Sequence, residues 1–306
     1  MKSSGQHLNS GQFNNLELLA KQVVEGFITG LHKSPFHGFS IEFAEHRAYN
    51  VGDTVKNIDW KLFAKTDKLY TKRYEEETNL RCQFILDVSS SMFYPENSYN
   101  KLNFSVEAVA SLIYLLRKQR DAFGLSLFSD HLSLNTPARS TVAHQKYILS
   151  HLEAVLKTPK MNVTTNLEQV LHHVSERIHK RSLVVIFSDL ISTIKEEGQI
   201  SKLFSALQHL KFNKHEVVIF NVVDQAMEVD FKFENRPYEF VDMETGQVLK
   251  AHSSKVRDSY LEKYHEYRKE IQLKCAQYKI DLVDADLNAG FHTVLETYLL
   301  KRSKLY

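Results

Sequence analysis

Cys82-Gln83-Phe84-Ile85-Leu86-Asp87-Val88-Ser89-Ser90-Ser91 runs from a largely apolar segment straight into an acid and three serines. A run that is apolar along its length, and not on alternate residues only, belongs to a strand buried on both faces. Such strands occur in parallel sheets covered by helices. Two further stretches read the same way: Leu183-Val184-Val185-Ile186-Phe187, which ends in Ser188-Asp189, and Val217-Val218-Ile219-Phe220-Asn221-Val222-Val223. Phe123–Phe128 and Leu132–Leu134 read as two strands around the turn Ser129-Asp130-His131.

Working outward, helical spacing fills the gaps. Helices are expected over about 102–119, 142–156 and 166–178, with another before Val217 and a long one over 254–278. The last carries a stripe of Val256, Tyr260, Tyr264, Tyr267, Ile271 and Cys275. A strand at Ile280–Val283 and a helix over 293–300 close the chain. Repeated strand–helix alternation predicts an α/β three-layer sandwich with a mainly parallel central sheet and helices on both faces.

Residues 225–250 break the alternation. Val229–Phe233 and Tyr238–Val241 alternate at period two, and Glu244-Thr245-Gly246-Gln247 supplies a turn. This predicts an antiparallel insertion that joins the N-terminal region in a small β-rich lobe. Upstream, residues 1–15 read as a polar tail, Leu16–Leu31 as a helix and 40–79 as short alternating runs around Asn50-Val51-Gly52-Asp53. The expected division is therefore 1–79 and 80–306.

Composition removes several function classes. Lys plus Arg number 39 against 37 Asp plus Glu, a formal charge of +2, so no global excess points to nucleic acid or an anionic surface. Ten glycines include no GxG pair and no GxxxxGK, which excludes the dinucleotide fingerprint and the Walker phosphate loop. HExxH and GxSxG are absent. Cys82 and Cys275 form no CxxC and no disulfide framework, which suits a reducing compartment. The first residues lack the apolar core of a signal peptide, and Val106–Leu116 is too short and too interrupted to span a bilayer. A soluble, cytoplasmic protein is expected.

The chemistry-bearing residues sit at the carboxyl ends of the expected strands, where open α/β sheets bind ligands. Asp87, Ser89 and Ser91 form D-x-S-x-S, Asp189 ends a second strand, and Thr164 and Thr165 precede a helix. All are oxygen donors, the kind that suits Mg²⁺. Each residue has a plainer alternative as a helix cap or turn residue. His172 and His173 are adjacent, point to different helix faces and form no two-ligand site.

The joint order (strand, D-x-S-x-S, helix, hairpin, Thr, strand, Asp) resembles the metal-ion-dependent adhesion site of von Willebrand factor A domains. The matching positions are Asp87, Ser89, Ser91, Thr165 and Asp189, with Thr164 the alternative to Thr165. The resemblance implies Mg²⁺ or Mn²⁺ held by these residues, and a sixth position left to an acidic side chain from a partner.

A second resemblance lies upstream. Phe43-Ala44-Glu45-His46-Arg47-Ala48-Tyr49-Asn50-Val51-Gly52-Asp53 leads to Asn57-Ile58-Asp59-Trp60-Lys61 and Ala64-Lys65-Thr66-Asp67. It is similar to the segment before the A domain in the bacterial group called domain of unknown function fifty-eight. That group usually has Arg and Gly where Lys65 and Asp67 stand. Arg47, Asp59 and Trp60 are candidate partner-binding residues, against the alternatives of ion pairing for Arg47 and Asp59 and of packing for Trp60.

The resemblances imply a non-enzymatic interaction module, an adaptor or chaperone-like protein working with a MoxR-type AAA+ ATPase or another A-domain protein. Two alternatives stand beside it. One is a Mg²⁺-dependent phosphoesterase using Asp87, which Ser89 disfavours because a D-x-D acid would be needed there. The other is a nucleic-acid-binding module using the basic stripe between Lys56 and Arg73, for which a solvated strand face is the plainer reading.

Overall fold

The computed structural model describes residues 16, 17, 21, 42–50, 58–75, 80–96, 98–158, 162–191 and 198–303, with side chains undescribed at 42–47, 72–75 and 299–303. The tail expected over 1–15 and the turn at 51–53 lie outside these residues, as does most of the helix expected over 16–31. The described residues fall into two compact units, one within 36–80 and the other within 1–35 and 81–306.

In the smaller unit, strand β1 (Glu42–Ala48) pairs antiparallel with β2 (Tyr70–Glu75), Ala48 opposite Tyr70. Between them lies helix α1 (Trp60–Thr66), where the sequence predicted only short alternating runs. No residue of α1 is buried, so it leaves no apolar periodicity to read. Local chemistry forms it. Asp59 caps its start, Oδ1 accepting from Lys61 N at 3.0 Å and Leu62 N at 3.1 Å. Asp67 ends it in the left-handed conformation (φ 52°), the geometry glycine favours and aspartate tolerates.

The larger unit is an α/β sandwich. Its six-stranded sheet is built from β3 (Arg81–Asp87), β4 (Ala122–Phe128), β5 (Leu132–Asn135), β6 (Leu183–Ser188), β7 (Glu216–Val223) and, past a separate hairpin, β10 (Asp281–Asp286). The spatial order is β10-β7-β6-β3-β4-β5. All neighbours are parallel except β5, a short antiparallel edge. The continuously apolar runs occupy the centre, as full burial of β6 and near-full burial of β3 and β7 require.

Helices α2 (Lys101–Lys118), α3 (Val142–Lys157), α4 (Leu167–Arg177), α5 (Gln199–Phe212), α6 (Ser253–Gln277) and α7 (Phe291–Ser303) flank the sheet. Ile85, Val184, Ile186, Val217 and Ile219 pack against α4, α5 and the Ile271–Cys275 turn of α6. Phe187 and Phe220 stack at 4.8 Å on the other face, where Tyr298 of α7 meets Phe220 and Phe291 meets Phe104 of α2.

The insertion differs from its expected form. Strands β8 (Pro237–Val241) and β9 (Val248–His252) pair antiparallel, but Val229–Phe233 is not a strand. Gln225–Val229 is a π-helical turn capped by Asp224, whose Oδ1 accepts from Ala226 N and Met227 N. The period-two apolar residues there serve an aromatic cluster instead, with Phe231 4.8 Å from Phe233 and 4.9 Å from Tyr260. The β8–β9 pair and the β1–β2 pair are separate two-stranded sheets.

Candidate functional site

Parallel register brings the site residues level. Leu86 pairs with Phe187, so Asp87 and Ser188 end adjacent strands together. Ser188 Oγ donates to Asp87 Oδ2 at 2.7 Å, and Ser89 N donates to Asp87 Oδ1 at 3.0 Å. Beyond the strand the chain turns into a short 3₁₀ segment, Ser90–Phe93, and the Ser89 and Ser91 hydroxyls come within 3.2 Å of each other. Ser90 points away and binds the loop before α4: its Oγ accepts from Val163 N at 2.8 Å and its N–H donates to Val163 O at 3.2 Å.

That loop is held on its far side by Asn166 N donating to Ser129 O at 2.9 Å, while the Asn166 side chain caps α4. Thr165 is thereby fixed between two anchors. Its hydroxyl donates to Glu244 Oε1 at 3.1 Å, whereas Thr164 is exposed. Asp189 follows β6. Its Oδ1 accepts from Ile191 N at 3.2 Å, and its Oδ2 accepts from Lys101 Nζ at 2.7 Å.

Lys101 gave no functional signal in the sequence. It lies in the first turn of α2, buried, with its ammonium also 2.8 Å from Glu228 Oε1. Burial alone would lower its pKa, but the charges of Asp189 and Glu228 outweigh that and hold it above the ordinary lysine value. Among the described residues, Asp87 meets no such ammonium. Its own burial, and next the charge of Asp189, push its carboxyl up to about 7 against the hydrogen bonds from Ser89 and Ser188.

This environment favours another positive charge beside Asp87. The donors are carboxylate and hydroxyl oxygens, a set that fits a hard divalent cation. Among the described residues no three His, Cys, Asp or Glu side chains converge as a metal-holding group, so such a cation would depend on the hydroxyls of Ser89, Ser91 and Thr165. A cavity of about 330 Å³ opens beside Ser91, with Lys101, Glu228, Phe231, Glu244 and Tyr260 in its walls.

The other candidate residues belong to the smaller unit. Asp59 serves as the α1 cap, and the Arg47 side chain is outside the described set. Trp60, for which packing was the plainer expectation, is 56 % exposed and touches Phe63 edge-on at 6.1 Å. The stripe expected on a strand face is partly helical, Lys61 and Lys65 lying exposed on α1. No helix among the described residues is long and apolar enough to cross a membrane.

Among known proteins, the chain is 24 % identical over 209 residues to the uncharacterized protein Mb1516 of Mycobacterium bovis, spanning 68 % of this chain and 63 % of that protein's length. Two solved structures are similar at low levels. One is an aerotolerance-related membrane protein from Bacteroides fragilis, with TM-score 0.46, 14 % identity and coverage of 72 % of this chain and 99 % of that one. The other is the conserved hypothetical protein BatB from Bacteroides thetaiotaomicron, with TM-score 0.41, 14 % identity and coverage of 74 % and 99 %. The model of one family matches residues 45–270, most of the sequence, and spans both compact units. The chain belongs to that family, described as Protein of unknown function DUF58.

Proposed function

We propose that the larger unit is a von Willebrand factor A-like domain whose strand-end residues form a metal-ion-dependent adhesion site, and that the protein is a non-enzymatic interaction module. The observation that supports this most is the pairing of two buried acids, Asp87 and Asp189, only one of which has a lysine partner among the described residues, beside the hydroxyl pair Ser89–Ser91. Asp87, Ser89, Ser91 and Thr165 would hold Mg²⁺ or Mn²⁺, with Asp189 oriented by Lys101. When bound, the ion supplies a hard, positively charged contact for a carboxylate. The chain's own groups set the direction of approach, because Ser188 and Ser89 hold Asp87 from within the sheet and leave Ser91 toward the cavity.

Ser89 weighs against the phosphoesterase alternative. It stands where a second carboxylate would be needed as acid/base, and its hydroxyl meets that of Ser91 instead. The partner in this account is an acidic surface of a MoxR-type AAA+ ATPase or another A-domain protein, met in the cytoplasm. The exposed Trp60 offers that partner an aromatic anchor.

The test is binary binding to the purified MoxR-type ATPase of the same organism, using wild type and Asp87→Ala in Mg²⁺ and in EDTA. Binding by wild type in Mg²⁺ alone supports the proposal. Equal binding in all four conditions overturns the metal-dependent mechanism.

A further inference from the structure

The β8–β9 connection brings an acid of the chain itself onto this site. Asp242 shapes the turn: its Oδ1 accepts from Glu244 N at 2.9 Å and Thr245 N at 3.4 Å, and its carbonyl accepts from Gly246 N at 2.7 Å. Gly246 takes φ +72°, so a side chain there would strain the turn. The turn is docked on the loop before α4, Asn162 N donating to Met243 O at 3.3 Å. Glu244 is carried inward as a result. It is only 5 % exposed, receives the Thr165 hydroxyl and shares the cavity with Ser91.

Burying a carboxylate is costly unless charge or hydrogen bonds compensate it, and the Thr165 hydroxyl is one of the groups that meet Glu244. Here the carboxylate ends on the one threonine among the proposed metal ligands. We propose that Glu244 is the chain's own carboxylate for the adhesion site, occupying the position that a partner's acidic side chain would otherwise take. The inference rests on the metal-site reading given above and adds an internal competitor to it. A docking acid must displace the Glu244 side chain from Thr165.

The test uses the full chain with Mn²⁺ alone and then Mn²⁺ plus acetate, read by electron paramagnetic resonance and water-proton relaxation. Wild type, Glu244→Gln and Asp87→Ala are compared, and Glu244→Asp serves as a second variant in case the glutamine destabilises the turn. The expected result is Mn²⁺ binding by wild type and its loss in Asp87→Ala. Glu244→Gln is expected to weaken Mn²⁺ by about tenfold, because affinity follows ligand charge. The Gln variant should also gain one exchangeable water and an acetate effect that wild type lacks, and Glu244→Asp should show both changes in part. If Mn²⁺ binding depends on Asp87 while Glu244→Gln and Glu244→Asp match wild type in affinity, hydration and acetate response, Glu244 is not a ligand and this inference alone fails. If wild type binds no Mn²⁺, the metal-site reading fails and the inference with it.

Discussion

Lys101 Nζ lies 2.7 Å from Asp189 Oδ2, joining the first turn of α2 to the end of β6 through a lysine side chain that is 1 % exposed. A lysine at a helix N-terminus opposes the helix dipole, so this position is unfavourable for an isolated helix. The two carboxylates it meets, Asp189 and Glu228, supply the compensation.

Replacing Lys101 by Met keeps the aliphatic bulk and leaves two carboxylates without their ammonium. The expected loss is about 3–5 kcal/mol, the usual cost of breaking a buried pair from one side. Urea unfolding of wild type and Lys101→Met in EDTA measures it. Unchanged stability would show that the ion cluster contributes nothing net.

Asp87 predicts a pH dependence. Its carboxyl titrates near 7 in the folded protein, against 3.8 for an unperturbed aspartate. The folded state therefore holds a proton that the unfolded state has released. The stabilising contribution is complete below the lower value and is lost as pH rises toward the upper one. In EDTA, the unfolding free energy of wild type relative to Asp87→Asn should fall by about 1.4 kcal/mol per pH unit across that window. Parallel curves for the two proteins would remove the assigned cause.

Trp60 is the only tryptophan, so its fluorescence reports one site. An exposed indole predicts red-shifted emission, ready quenching by acrylamide, and a stability change in Trp60→Ala within about 0.5 kcal/mol, as for other surface substitutions. Asp59→Ala next to it should cost about 1 kcal/mol of α1 stability through loss of the cap. Hydrogen exchange of residues 60–66 reads the second effect, and blue-shifted, unquenchable emission would contradict the first.

Gly124 predicts a packing penalty inside β4. A Cβ there would stand 2.3 Å from Gln83 Oε1 and 2.7 Å from Thr136 O, so Gly124→Ala must shift a buried side chain and a backbone carbonyl. A loss of about 1–3 kcal/mol in thermal or urea unfolding is expected. A neutral substitution would mean that β4 and β5 separate easily.

The central strands were legible because burial on both faces writes itself as unbroken apolar sequence, as in Leu183–Phe187 and Val217–Val223. The D-x-S-x-S turn was legible because its residues are neighbours in the chain. Lys101 and Glu244 were not, since their partners lie 88 and 79 residues away and nothing local marks a lysine or a turn glutamate as buried. Helix α1 escaped notice because it is made by a cap and not by an apolar stripe. Val229–Phe233 misled for a related reason: alternation records which residues are buried, and an irregular segment whose Phe231 packs on Tyr260 and whose Phe233 packs on Phe231 and Phe240 writes the same pattern as a strand.

Titration of Mg²⁺ into the full chain by calorimetry, for wild type and Asp87→Ala at pH 8, decides whether β3 and β6 end in a cation site. Wild type should bind saturably at a single site and the variant not at all, with both proteins folded by circular dichroism. Absence of binding in wild type, or equal binding in the two, would contradict a cation site at the ends of β3 and β6.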